Sequence, residues 1–285
     1  MVSQLPRLCW LLAFVLLLVA AGLRWVIAPG FGLLSPSYGS ELVYTATLWT
    51  RETPTSEIVT THSTVSRRDQ VLLSNGHALI EADARWQDAS GKVIFETQDI
   101  YGVDRRTRAN IPGYGTADRE GQYLFPPHIQ TRDYVLWDSN YGGPVTVVYD
   151  RQEKFRGLDV AVFRSAANGI DESAGYATTP GVPAVYKAMT SGSGTLLIEP
   201  VSGVVVDHQD EGITYFVERS TGQRVGEPLN KWTQRYTPST IDAQVQRAKA
   251  ARTQILMFET WLPLVCVAAA LLALAGGYWI GRASK

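Results

Sequence analysis

Two long apolar runs bracket a segment in which hydrophobic and polar residues alternate. The first extends from Leu8 to Leu23 and continues past Arg24 to Ile27; the second, Trp261 to Ile280, carries no charge. About 20 residues at ~1.5 Å each match the ~30 Å hydrocarbon core of a bilayer. The pattern therefore predicts transmembrane helices over residues 8–27 and 261–280. Trp10 and Trp25 stand near the ends of the first run, and Trp261, Tyr278 and Trp279 near the ends of the second. Amphipathic rings prefer that depth. The first run has a second reading, a cleaved signal peptide with Arg7 as its n-region and Val19-Ala20-Ala21 as the cleavage site. The apolar stretch continues beyond that site with a Trp at each end, which favours the uncleaved anchor.

From Glu41 the period changes to two. Leu42, Tyr44, Ala46 and Leu48 share one face, with Val43, Thr45, Thr47 and Trp49 on the other, a strand pattern. Similar runs follow at Ile58–Val65, His77–Trp86, Lys92–Val103, Val145–Tyr149, Leu158–Arg164, Thr195–Val206 and Ile213–Arg219. Turn residues separate them, as in Ser74-Asn75-Gly76 and Tyr141-Gly142-Gly143-Pro144. The last two runs predict a hairpin turning through Asp207 to Gly212. Asn110–Gly121 and Ser165–Pro183, rich in small residues, predict long loops. The fold class expected is thus a mainly β ectodomain, an antiparallel barrel or sandwich-like domain over residues 28–238, flanked by N- and C-terminal transmembrane helices. After Pro238, Ile241, Val245, Ala248, Ile255 and Leu262 recur at helical spacing, so residues 239–260 read as an amphipathic stalk, with Ser239–Glu259 a single helix. Pro263, which lacks a backbone donor, predicts a kink.

Charge adds an orientation. All 27 acidic residues lie between Glu41 and Glu259. Only Arg7, Arg24, Arg282 and Lys285 of the 26 basic residues lie at the ends, which leaves the middle a net charge of about −5. That balance argues against nucleic acid as a partner. The positive-inside rule puts both short tails, residues 1–7 and 281–285, in the cytoplasm, with the middle outside a plasma membrane. Both cysteines, Cys9 and Cys266, fall in the apolar runs. In that topology their depths differ by roughly 20 Å, too far for a disulfide.

No catalytic motif is present: there is no Gly-x-Ser-x-Gly, no His-Glu-x-x-His and no Gly-x-x-x-x-Gly-Lys. The chain reads as non-enzymatic, with no cofactor and no metal. His208 with Asp207, Asp210 and Glu211 is the nearest approach to a metal cluster, and a solvated hairpin tip explains it more simply. Arg105, Arg106 and Arg108 form a basic run suited to anionic headgroups, although charged rim positions are the default reading. The aromatic segment from Tyr123 through Phe125 to Tyr134 and Trp137 is either core or the apolar lining of a ligand pocket.

These segments carry a family resemblance. Tyr101-Gly102-Val103-Asp104-Arg105, Tyr123-Leu124-Phe125-Pro126, Trp137-Asp138 and Ile198-Glu199-Pro200-Val201-Ser202-Gly203 resemble the PorA porin family of actinobacterial two-pass envelope proteins. Ser202 stands where the family pattern more often has Thr. The resemblance implies a pore, possible homo-oligomers and a place in the cell envelope. The Glu199-Pro200-x-x-Gly203 stretch and the two-anchor layout are also remotely similar to CD36-type scavenger receptors, whose ectodomain holds a lipid tunnel. The expectations are then a protein that binds or passes a hydrophobic ligand such as lipid, an oligomeric pore, or a scaffold for other envelope proteins, with membrane lipids as partners.

Overall fold

In the computed structural model, residues 5–51, 55–74, 76–116, 118–138, 141, 143–173 and 183–283 are described. The chain divides into two units, residues 1–33 with 249–285, and residues 34–248.

The first unit holds α1 (Leu5–Gly22), α2 (Ala28–Gly32) and α4 (Leu262–Ala283). Helices α1 and α4 pack on each other, with Ala13, Ala20, Ala270 and Gly277 buried. Small side chains let helix backbones approach closely where apolar packing alone gives little drive. Leu8, Leu11, Phe14, Leu264, Leu271 and Leu272 are exposed, as hydrocarbon-facing positions should be. By length and composition, both apolar segments can cross a membrane. A π-helical turn, Leu23–Ile27, precedes Pro29, and another, Met257–Trp261, precedes Pro263. Each proline lacks a donor and crowds the carbonyl four residues back; the wider turn absorbs both defects. At Pro263 this turn stands where the sequence pointed to a kink.

The second unit is one antiparallel sheet of eleven strands: β1 (Gly39–Thr50), β2 (Val59–Ser74), β3 (His77–Asp88), β4 (Val93–Asp104), β5 (Asn110–Gly115), β6 (Tyr134–Asp138), β7 (Gly143–Phe155), β8 (Leu158–Asp171), β9 (Tyr186–Ile198), β10 (Val205–Glu218) and β11 (Arg224–Tyr236). Their order is β5-β4-β3-β2-β1-β11-β10-β9-β8-β7-β6. The segment around Gln122 bridges the two edge strands. Asn110 N donates to Gly121 O and Tyr123 N to Arg108 O on one side, while Gln122 N donates to Val135 O on the other. Gly121 sits at φ +74°, and a Cβ there would lie 2.5 Å from Val135 O, so this bridge requires glycine. Hydrogen bonding is thereby continuous around the whole sheet, as in a barrel.

Several expected boundaries move. The β9–β10 turn lies at Glu199 to Val204, eight residues before the predicted one. There the Glu199 carboxylate accepts from Val201 N and Ser202 N, and Gly203 N donates to Glu199 O. Asp207 to Gly212, expected as a solvated tip, is mid-strand. Asn110–Gly121, expected as a loop, supplies β5 and the bridge. Ser165 to Asp171 continues β8; residues 174–182 of the other predicted loop lie outside the described residues. The predicted stalk appears as α3 (Pro238–Leu256).

Strand β8 is buried on both faces. Phe163 and Ala161 join Phe125, Tyr134, Val147 and Ile198 in one cluster. Leu158, Val160 and Val162 pack in another, which also takes in Ile241, Val245 and Ala248 of α3. A strand covered on both sides reads as a continuous apolar run, which Leu158 to Phe163 nearly is.

Candidate functional site

The sequence-derived aromatic candidates lie against other side chains of the sheet domain. Phe125 and Tyr134 are buried, with ring centroids 5.2 Å apart and within 5.3 and 5.8 Å of Phe163. Tyr123 leans edge-on to Tyr101 at 5.4 Å, and its hydroxyl donates to Asp69 Oδ2 at 2.6 Å. The half-buried Trp137 lies under the Arg119 guanidinium, 5.5 Å away. Of the three arginines, Arg106 is exposed. Arg105 Nε donates to Leu34 O at 2.8 Å, and Arg108 donates to Phe125 O at 2.7 Å and Ser202 O at 3.3 Å. Burial pushes the Arg108 pKa down to about 10. Arg105 and Arg108 thus hold backbone carbonyls of their own chain.

A different set of side chains converges on the face carrying Tyr44, Val65 and Trp232, the inner face. Strand register places Ser63, Ala46, Gln234, Asp210, Gly194 and Ser165 side by side across β2, β1, β11, β10, β9 and β8. One residue pair along lies an aromatic row. Tyr44 and Tyr236 have centroids 4.8 Å apart, and His208 is 5.9 Å from the first and 6.0 Å from the second. Tyr44 Oη and His208 Nδ1 share a hydrogen bond of 3.3 Å. On the other side Trp232 packs against Tyr141 at 5.8 Å, and the Tyr141 hydroxyl donates to Glu211 O at 3.3 Å.

Between these aromatic rows the face is polar. Gln234 Nε2 donates to Asp210 Oδ2 at 3.1 Å. Among the described residues, Ser63 Oγ, Gln234 Oε1 and Trp232 Nε1 are buried and find no protein partner. The Arg67 guanidinium lies 5.1 Å over the Tyr44 ring. Burial alone lowers the Arg67 pKa, but Tyr44, Asp138 and Asp210 more than restore it, so it stays charged. Burial pushes His208 down to about 4, leaving it neutral at physiological pH, and pushes Tyr44 up to about 12. Glu172, bonded to Thr190 Oγ1, is pushed up to about 7, again chiefly by burial. No cluster of three metal-ligating side chains occurs among the described residues.

An open groove of about 630 Å³ crosses five of those six strands, β2, β1, β11, β10 and β9. Thr45, Thr47, His62, Thr233, Glu211 and Arg235 of the opposite face line it together with Ala46, Ser63, Asp210 and Gln234. Thr47 Oγ1 and His62 Nδ1 are 3.3 Å apart, and Arg235 pairs with Asp207 at 2.5 Å. Further along this face Arg85 pairs with Glu96 at 3.3 Å, and Gln98 bonds Glu81 at 3.0 Å. A strand face so charged cannot be the lipid-facing band of a membrane β-barrel.

A family model described as Porin PorA matches residues 5–279, nearly the whole chain. The chain belongs to the PorA porin family. With two apolar helices of spanning length, this porin-family chain is a membrane-associated protein. Among curated proteins, none matches. An exported protein with a YmcC-like fold from Bacteroides fragilis is 12% identical, covering 71% of this chain and 97% of that one at a TM-score of 0.30. An N-terminal dehydratase from the difficidin assembly line is 7% identical, covering 74% and 82% at a TM-score of 0.12. Neither superposes closely enough to carry an argument.

Sequence reasoning passed over Arg67, Glu172 and Gln234, and named Asp210 only as part of a solvated tip and Asp138 only within a family motif. A signal existed for Arg67: it stands two residues from Val65, so the alternation puts it on the apolar face. Its neighbours there come from β6 and β10, about 70 and 140 positions on, which no local pattern links.

Proposed function

We propose that this porin-family protein is a non-enzymatic, membrane-anchored solute-binding protein of the cell envelope, whose sheet domain takes small hydrophilic solutes into its polar inner face. The carrying observation is how the inner face divides its residues. Phe125, Tyr134 and Phe163 pack against one another, while Ser63, Gln234 and Trp232 keep buried polar atoms that no protein group satisfies. Such atoms cost about 1–3 kcal/mol each if left dry, so polar molecules belong beside them. In this reading both termini are cytoplasmic and the sheet domain lies outside the plasma membrane.

A hydrophobic ligand such as lipid is the weaker reading, because the aromatic side chains suited to lining its site are committed to packing. A pore is a second reading, favoured by membership of the porin family. The charged outer face argues against the sheet crossing the bilayer, so a pore would need the helices of several copies. The full-length protein in detergent micelles, titrated with small amines, polyols and lipids and followed by saturation-transfer NMR, separates the first two. Saturable binding of a hydrophilic solute is expected; binding of lipid alone overturns the proposal. Planar-bilayer recordings address the pore, and silence at all voltages removes it.

A further inference from the structure

The open groove of about 630 Å³ follows two neighbouring rows of short polar side chains across the strands. In one row Thr47 stands opposite His62 on β2 and Thr233 on β11. Glu211 on β10 follows, and then Ser193 on β9. Two residues along on the same face, Thr45, Arg235, Gln209 and Thr195 form the second row. On the other side of the first row Trp49 and Lys231 stand opposite each other, the ammonium 5.3 Å over the indole. Short side chains beside that taller pair leave the groove open.

Its chemistry is that of neutral hydroxyls. Thr45, Thr47, Thr195, Thr233 and Ser193 each offer a group that both donates and accepts. Threonine is stiff at χ1, so a sheet holds these hydroxyls in place at little entropic cost. The two charged side chains in the rows, Glu211 and Arg235, have opposite sign, and Arg235 is held by Asp207 at 2.5 Å. Neither a polyanion nor a polycation is matched by such a lining. An extended peptide has no strand edge to pair with here, because all five strands have sheet neighbours on both sides. From β2 to β9 is four strand spacings, ~19 Å, the length of several sugar rings.

We propose that this groove binds a neutral oligosaccharide lying across the strands, its hydroxyls bonded to the two threonine-containing rows. The site is on the face opposite the polar inner one and stands independently of the solute-binding reading above.

Saturation-transfer NMR on the full-length protein in a sugar-free zwitterionic detergent tests this, with maltotetraose, cellotetraose, glucose and tetra-alanine as separate probes. A tetrasaccharide is expected to saturate, and to bind more tightly than glucose, which fills only part of the groove. Thr47→Val combined with Thr233→Val keeps shape and strand preference but removes two hydroxyls, and is expected to weaken that binding about tenfold. Should this variant not fold, Ser193→Lys, at an exposed position, lays a long side chain into the groove and is expected to block the tetrasaccharide. Failure of both tetrasaccharides to bind, equal binding of glucose or tetra-alanine, or binding unchanged in a folded variant overturns the proposal.

Discussion

Tyr123 donates its hydroxyl hydrogen to Asp69 Oδ2 at 2.6 Å, tying the segment that bridges the sheet's edges to β2. Burial raises the Asp69 pKa, and the Tyr123 bond works against that rise. Tyr123→Phe keeps the ring contact with Tyr101 and removes only the donor. It is expected to cost ~1–2 kcal/mol in urea denaturation of the full-length protein. An unchanged midpoint would show that the carboxylate gains nothing from this bond.

Arg119 supplies a second fastening for the same segment. It is 6% exposed, donates to Asp99 Oδ2 at 2.5 Å and lies 3.9 Å over the Tyr101 ring. Arg119→Met, similar in length but uncharged, is expected to lose roughly 2–3 kcal/mol. Hydrogen exchange should then accelerate first at Asn110, Gln122 and Tyr123, the amides of the bridge. Uniform acceleration across all eleven strands would contradict a local role.

Gly212 lies beneath the Trp232 indole. A Cβ there would approach the ring atoms to 2.1 Å, so Gly212→Ala forces the indole off the sheet. A loss of ~1–3 kcal/mol is expected. Trp232→Leu in the same chain should recover part of it, because the clash needs the ring. A double variant no more stable than Gly212→Ala would place the cost in the backbone instead.

Two half-buried groups give opposite pH slopes. Glu172 is pushed up to about 7 by burial, so between its ordinary ~4.5 and 7 the folded protein holds the proton more tightly than the unfolded chain. Stability therefore falls as pH rises through that window. His208 is pushed down to about 4 by burial. The unfolded chain takes up its proton from ~6.5 downward, and stability falls as pH drops from there to about 4. Glu172→Gln is expected to melt higher than the parent at pH 8 relative to pH 4.5, and His208→Gln to gain at pH 4.5 relative to pH 8. Parallel melting curves for parent and variants across this range would refute both assignments.

Much of the fold was legible because its signals are local. The Leu42 to Trp49 alternation, the apolar runs and the Ile241, Val245, Ala248 stripe each report the face a short segment must bury. The β9–β10 turn was misplaced because the acidic Asp207 to Glu211 stretch looks like a solvated tip. In the folded protein those charges alternate, Asp207 pairing outward with Arg235 and Asp210 inward with Gln234. The earlier Glu199 turn carries its own carboxylate-to-backbone bonds, a weaker signal in sequence but a complete one in structure.

By itself, the sequence determined the two apolar helices, the β-rich middle between them and the family, since length, periodicity and motif order are properties of a linear chain. Tertiary structure alone decided that the helical π-turns absorb Pro29 and Pro263, that Gln122 joins the sheet's edges, and that Phe125 and Tyr134 meet Phe163. It also brought Ser63, Gln234 and Asp210 around Ala46. Those meetings depend on strand register between positions up to 188 residues apart, and register follows from which faces the whole sheet can bury at once.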